Sequence, residues 1–337
     1  MLAFIDPTSS VLPYVYHEAE KINDEIDLYC SNTDYNNQFL ECWKFGSVYS
    51  YNVSRTTRLN IFLRAKNYFY LLFAIYKNHK KYKKIYFNFP NIFIFDFIFF
   101  YLLRKKIIYV VHNSVPHNSS FHIDFRVLLL SKICESVMTV SNFSDIEFKN
   151  RYKKFINVNK IIFSQHPNLK IAPELSCLKN KDLLNDPVIT FWGNIKAYKG
   201  VEFFLDLAKY ISSHKLNYKI DIYGKWDTNM LHLKTEMEEN NIFIDNRFLD
   251  HDEVYKILNE DRIFVLPYKK ATQSGVLYTF LEYKSIFLTT DEGDCGSFYK
   301  QHNLNEMLFN YDSPKSLIDA IEFVLNNQLY IQKKLYD

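Results

Sequence analysis

An α/β protein made of two doubly wound units is what this sequence predicts, on three observations. Short apolar runs that stop at Gly, Pro, Asn or Asp alternate with longer stretches whose apolar residues recur at helical spacing, the pattern of parallel strands joined by crossover helices. The 337 residues exceed what one ordinary core supports and suit two domains of roughly 150 residues. Six of the seven glycines (Gly193, Gly200, Gly224, Gly275, Gly293 and Gly296) follow residue 190, so tight turns and close backbone approach to a ligand are expected in the second half.

Composition narrows the function classes. Apolar residues at 48% and charged ones at 23% are globular proportions and argue against disorder. A net charge of +3, with no RNP, zinc-finger or basic-helix signature, predicts no nucleic-acid partner. Cys30, Cys42, Cys134, Cys177 and Cys295 include no C-x-x-C pair, so neither a disulfide framework nor a zinc site is expected, and a reducing, cytoplasmic location follows. The start MLAFIDPTSS has no charged lead or long apolar core and does not read as a signal peptide.

In the first half, residues 2–5 form a strand closed by Asp6-Pro7, with no G-x-G-x-x-G after it, which removes the main support for a dehydrogenase-type nucleotide turn. A helix is expected over 60–76, followed by the basic run KNHKKYKK at 77–84. That run is either a solvated loop or a peripheral contact with anionic lipid. The aromatic stretch after it contains Asn88, Pro90, Asn91 and Asp96, too many breaks for a membrane span; it reads as a strand over 85–89 and a buried helix over 92–103. A strand at 107–111 runs directly into His112-Asn113 and Val115-Pro116-His117, the carboxyl edge where open parallel sheets bind ligands. Each histidine is either a ligand group or an imidazole satisfied by a backbone carbonyl. His122 and His166 are read as the latter. Strands at 137–140 and 161–163 complete the domain. The stretch 168–187, rich in Pro, Lys, Asn, Glu and Ser, supplies a linker, giving domains at 1–170 and 188–337 with the linker at 171–187.

The second half opens with a strand at 188–192 that meets Gly193-Asn194-Ile195-Lys196-Ala197-Tyr198-Lys199-Gly200 and a helix over 201–212 with Phe204, Leu207, Ala208 and Ile211 on one face. Strands at 220–223, turning at Gly224, and at 242–244 precede a helix over 252–259. A strand at 263–266 stops at Pro267. After a polar loop, Ser274-Gly275 starts a helix whose Val276, Leu277, Phe280 and Leu281 share a face, and a strand at 286–288 follows. Ser313-Pro314 then caps a helix over 315–326. The unpaired amides of the helix at 275 suit a phosphate, with Gly275 letting it come close; a well-capped helix with no ligand fits the same residues.

Three segments carry a family resemblance. PYKKATQSGVL through TTDEG, without a gap over 267–293, resembles the nucleotide-sugar-binding segment of retaining glycosyltransferases of the GT-B architecture, family 4 type (glycosyl transferases group 1). GNIKAYKG resembles that family's G-x-[IL]-R-x-x-K-G loop, with Lys196 where many members have arginine, and IIYVVHNSVPH is similar to its T-x-H-N-x-x-P-H element. The resemblance implies two Rossmann-like domains facing across a cleft, the first binding the acceptor and the second the nucleotide sugar. It implies His112 beside the transferred sugar and Lys199 at the donor diphosphate, as catalytic residues. Donor contacts would come from Gly193, Asn194, Lys196, Lys199, Gly224, Thr272, Gln273, Ser274, Gly275 and Val276. The acceptor would be a glycan, in particular a lipid-linked bacterial surface glycan, and no cofactor or metal is expected beyond the donor.

The match fails at two glutamates that the wider family carries eight residues apart. Counted from Gly275 they fall on Thr272 and Phe280, and Glu282 is two residues out of place. A non-catalytic partner subunit that binds a sugar nucleotide or a sister enzyme, and a sugar-nucleotide epimerase, are the competing expectations.

Overall fold

Two all-parallel sheets carry the chain. The computed structural model describes residues 1–32, 36–53, 61–112, 121–176, 187–271 and 273–336, with backbone alone for 121–123. Contacts divide it into Met1–Pro167 and Asn168–Asp337. The first unit runs β1 (Leu2–Asp6), α1 (Leu12–Glu20), β2 (Ile26–Ser31), α2 (Asn37–Glu41), β3 (Val48–Tyr51), α3 (Ile61–Asn78), β4 (Ile85–Asn88), α4 (Phe93–Leu102), β5 (Ile107–Val111), α5 (Phe121–Ile133), β6 (Ser136–Thr139), α6 (Asn142–Tyr152) and β7 (Ile161–Phe163). Its sheet has the order β3-β2-β1-β4-β5-β6-β7. The second runs β8 (Val188–Trp192), α7 (Phe203–Ser213), β9 (Ile220–Tyr223), α8 (His232–Glu239), β10 (Ile242–Asp245), α9 (His251–Asn259), β11 (Arg262–Leu266), α10 (Gly275–Glu282), β12 (Phe287–Thr290), α11 (Gly293–Gln301), β13 (Leu308–Phe309), α12 (Pro314–Asn326) and α13 (Gln328–Tyr336). Its order is β10-β9-β8-β11-β12-β13. The expected α/β class and double winding are therefore present.

The central strands are apolar on both faces because crossover connections cover both sides of a parallel sheet. LAFID in β1 and IIYVV in β5 are buried at every residue. In each sheet the chain moves outward in one direction and returns to the other side of its first strand. This creates a switch point between β1 and β4 and another between β8 and β11, where loops diverge and leave a crevice at the carboxyl edge.

Three differences from the sequence reading have physical causes. The elements between residues 12 and 51 are not announced by apolar periodicity, partly because β2 carries a charge: buried Asp27 accepts from Lys81 Nζ at 2.8 Å, Tyr82 Oη at 2.7 Å and the Ser47 amide at 3.1 Å. The helix expected to be buried over 92–103 is α4, which buries only Asp96, Phe99 and Phe100. Its composition is apolar all round, and periodicity does not separate its inner and outer faces. Residues 168–176 are bound to the second unit, the Leu169 amide donating to the Tyr278 carbonyl at 3.1 Å and the Ile171 amide to Tyr283 Oη at 3.2 Å. Residues 177–186 of the expected linker, Asn113 to His117 and Thr272 lie outside the described residues, as does the side chain of His122.

Candidate functional site

In the second unit the site is assembled at the β8–β11 switch point from two loops and one helix start. Beyond β8 the backbone turns at Gly193, at φ +134°, and β9 turns at Gly224, at φ +137°. A Cβ on Gly224 would collide with the Gly193 carbonyl, so the second turn comes this close to the first only as glycine. A Cβ on Gly193 would lie 3.1 Å from Lys199 Nζ and 3.9 Å from Val276 Cγ2. The two motifs picked out of the sequence, 193–200 and the start of α10, thus meet at Gly193.

Gly200 locks the first loop against the second. Its left-handed backbone, φ +66°, lets it pass the Pro267 carbonyl, which a side chain would strike. The Lys269 amide donates to the Tyr198 carbonyl at 2.9 Å, and the Lys269 ammonium pairs with Glu202. Lys199 is consequently turned inward, only 8% exposed, with Nζ 5.7 Å from the Phe191 ring and 5.9 Å from that of Tyr268. No carboxylate pairs with it among the described residues. Burial, helped by Lys196, pulls its pKa down to about 8. A buried cation flanked by rings and a second lysine lacks a counter-charge, and an anion is the group that supplies one.

Helix α10 presents its first turn to the same place. Ser274 occupies the N-cap position, yet its side chain caps nothing and instead lies 3.2 Å from Tyr268 Oη. The amides of Gly275 and Val276 have no partner among the described residues. The Gly275 position is open apart from ordinary contact with Leu169 Cδ1, 3.7 Å from where a Cβ would be. Protein packing therefore does not require glycine there, and its absence of side chain keeps the amides accessible. Gln273 Oε1 is buried beside this turn without a partner among the described residues. Asn194 and Lys196 are exposed on the first loop.

Phe280 stands in the core, 0% exposed and 4.5 Å from Phe264 between ring centroids, so the helix face that bears it looks into the sheet. Tyr268 and Glu202 were not singled out by sequence reasoning. Tyr268 stands inside the quoted PYKK segment and both orients Ser274 and lines Lys199. A cavity of about 480 Å³ adjoins the site beyond Tyr268, at the ends of β11, β12 and β13, bounded by Lys269, Thr290, Glu292 and Tyr311. Lys199 does not line it.

In the first unit the corresponding edge holds a carboxyl and an uncharged histidine. Asp6, at the end of β1, accepts the amides of Ser10 at 3.2 Å and Val11 at 2.8 Å, and burial raises its pKa to about 6. Asn88 Nδ2 donates to the Ile5 carbonyl at 3.1 Å, which orients the amide and leaves Oδ1 as acceptor 2.8 Å from His112 Nε2. His112 therefore carries its proton on Nε2 and a lone pair on Nδ1, which has no partner among the described residues. The ring is stacked on Phe89, 4.9 Å and 11°, and edge-on to Tyr14, 4.7 Å and 87°. Burial, with His166 nearby, holds its pKa down to about 3, so it is uncharged at neutral pH. The Tyr14 hydroxyl, also buried, has no partner among the described residues. His166 donates from Nδ1 to the Pro167 carbonyl at 2.7 Å, the backbone-satisfied reading.

Comparison with known proteins gives the same architecture. Residues 186–327 match the family model described as Glycosyl transferases group 1, spanning β8 to α12. No curated protein matches the chain in sequence. Among solved structures, HepE of Anabaena in complex with UDP and glucose superposes with a TM-score of 0.73 over all of this chain and 95% of that one, at 12% identity. Sucrose-phosphate synthase from Thermosynechococcus elongatus gives 0.65 over 100% and 94%, also at 12%. WaaG, a glycosyltransferase involved in lipopolysaccharide biosynthesis, gives 0.60 over 99% and 93%, at 12%. At such identities the likeness shows the fold, which is GT-B.

Proposed function

We propose that this GT-B chain, whose second unit bears the match to glycosyl transferases group 1, moves the sugar of a nucleoside-diphosphate donor to a hydroxyl of a growing, lipid-linked bacterial surface glycan. One observation carries the reading: at Gly193 the buried ammonium of Lys199 meets the first turn of α10 through Val276, and neither that ammonium nor the amides of Gly275 and Val276 has a partner among the described residues. A diphosphate satisfies both, because it offers charge to the first and oxygen acceptors to the second.

In the reaction, the bond between the anomeric carbon and the diphosphate oxygen breaks and negative charge grows on the leaving group. Lys199, with Lys196 from the exposed rim, offsets that charge without a metal ion. The acceptor hydroxyl forms the new bond to the anomeric carbon and gives its proton to the departing phosphate oxygen. Attack from the face that the leaving group vacates retains the configuration, as the family resemblance implies. His112, neutral, offers Nδ1 as acceptor to a hydroxyl of the sugar. Thr272, Gln273 and the amides around Ser274 replace the missing carboxylates at the donor ribose.

HepE bound to UDP and an Escherichia coli trehalose-6-phosphate protein bound to UDP-2-fluoro glucose put UDP-sugars first in a donor panel with GDP- and dTDP-sugars. A donor at 100 times its Kd adds about 2.7 kcal/mol to stability, a thermal shift that Lys199→Ala is expected to abolish. An unchanged shift in that variant overturns the site. Transfer in the presence of EDTA tests metal independence. A non-catalytic subunit is favoured by Phe280, whose core position provides no carboxylate for the ribose; absence of acceptor-dependent nucleotide release from every donor would select it.

A further inference from the structure

The first unit carries a surface that glycosyl transfer does not use, on the outer sides of α3 and α4. Along α3, Phe62, Phe69, Phe73 and Tyr76 fall within one helical stripe and are all exposed, Phe62 by 83%. Along α4, Ile94, Ile98, Tyr101 and Leu102 form a second exposed stripe at i, i+4, i+7 and i+8. The stripes adjoin, since the Phe69 ring stacks on Phe73 at 6.2 Å and meets Phe95 of α4 at 5.8 Å.

This apolar surface is surplus to folding. Each helix already has an inner face in the core, with Tyr68, Leu71, Leu72 and Ile75 from α3 and Phe99 and Phe100 from α4. Asp96, the one acidic side chain of α4, is turned inward to Tyr68 and Arg126. Contiguous aromatic and aliphatic exposure of this extent marks a contact surface.

Charge identifies the partner. Residues 61–106 contain ten lysines and arginines and a single carboxylate, in a chain whose net charge is only +3. Lys66, Lys77, Lys80, Arg104 and Lys105 are exposed and have no carboxylate partner among the described residues. Lys66 Nζ lies 5.7 Å from the Tyr70 ring and the Arg104 guanidinium 5.0 Å from that of Tyr101. Cations alongside exposed rings suit a boundary that is apolar on one side and anionic on the other. Neither helix crosses it, because among the described residues none is long and apolar enough to span a membrane.

We propose that the outer faces of α3 and α4 seat this protein on an anionic lipid bilayer. The aromatic side chains enter the boundary between headgroups and acyl chains, and the flanking lysines and arginines meet lipid phosphates. The surface rests on the reading of a lipid-linked acceptor for its purpose, though not for its physics.

The test is co-sedimentation of the full chain with phosphatidylcholine vesicles, with and without phosphatidylglycerol. Binding is expected only to the anionic vesicles and is expected to weaken as salt rises. Phe73→Ser/Ile98→Ser and Lys77→Glu/Lys80→Glu should each lower partitioning at least tenfold while keeping the parent melting temperature and donor shift. Equal binding to both vesicle types, no binding, or undiminished binding by both variants overturns the proposal. So does a dimer in sedimentation velocity that Phe73→Ser/Ile98→Ser converts to monomer without any vesicle binding, which assigns the surface to a second copy. Failure of the donor shift with vesicle binding intact sinks the transfer reading alone.

Discussion

The carboxyl edges of the two sheets share a topology and differ in how their buried polar groups are answered. At the first, Asp6 is met by two amides and His112 by Asn88, and burial leaves the imidazole uncharged. At the second, Lys199 is buried beside another lysine with no carboxylate partner among the described residues, and the Ser274 side chain does not cap α10. One edge pairs its carboxyl with backbone amides and keeps its imidazole uncharged; the other is a buried positive site with no carboxylate partner among the described residues. A doubly wound sheet provides the crevice in both cases, and the side chains decide whether it attracts an anion.

The comparison breaks most directly at Lys199. Lys199→Ala is expected to reduce transfer on the order of 100-fold or more, while His112→Gln leaves donor affinity within about twofold and lowers turnover instead. Steady-state kinetics on both variants check this, and equal losses of donor affinity would erase the distinction between the edges. A somewhat smaller effect is expected from Gly193→Val. Its side chain would crowd Lys199 and force an L-residue to φ +134°, so the donor thermal shift should fall together with the melting temperature.

Acid and base should act on opposite edges. Lys199 titrates near pH 8 in the unliganded protein, so donor affinity should decline as pH rises through that value, and Lys199→Arg should flatten the decline; isothermal titration across pH 7 to about 9.5 reads both. His112 and His166 have folded pKa values near 3 against 6.5 for a free imidazole. The unfolded chain takes up those protons first, so their contribution to stability is complete above about 6.5 and is lost on acidification toward 3. His112→Gln should shallow the acid limb of the melting-temperature profile relative to the parent. The smallest effect is a control away from either edge. Asp250→Ala removes the capping box of α9, in which Asp250 accepts the Glu253 amide at 2.8 Å, and should cost about 1 kcal/mol with donor binding unchanged.

Much of the second unit was legible because its information is local. A strand ending in glycine, a polar turn and an amphipathic helix identify β8 to α7 and β11 to α10 from spacing alone, and the family-like loops lie within those connections. His112 was legible for the same reason, as the first polar residue after an apolar strand. Tyr268 was not: its importance lies in a bond to Ser274 and a contact with Lys199, residues that only the folded loops bring beside it. Asn88 was likewise read only as a break that rules out a membrane span, since its partner lies 24 residues away.

Periodicity and loop residues thus determined that this is a two-unit α/β protein and where its glycine turns end the strands, because both depend on neighbours in the chain. Tertiary structure decided three other things: that Lys199 is buried with no counter-charge among the described residues, that His112 is held neutral with its proton on Nε2, and that α3 and α4 turn an apolar face outward. Charge state and exposure depend on what surrounds a side chain in space, and in helices that are apolar on every side no local pattern says which face the core will take.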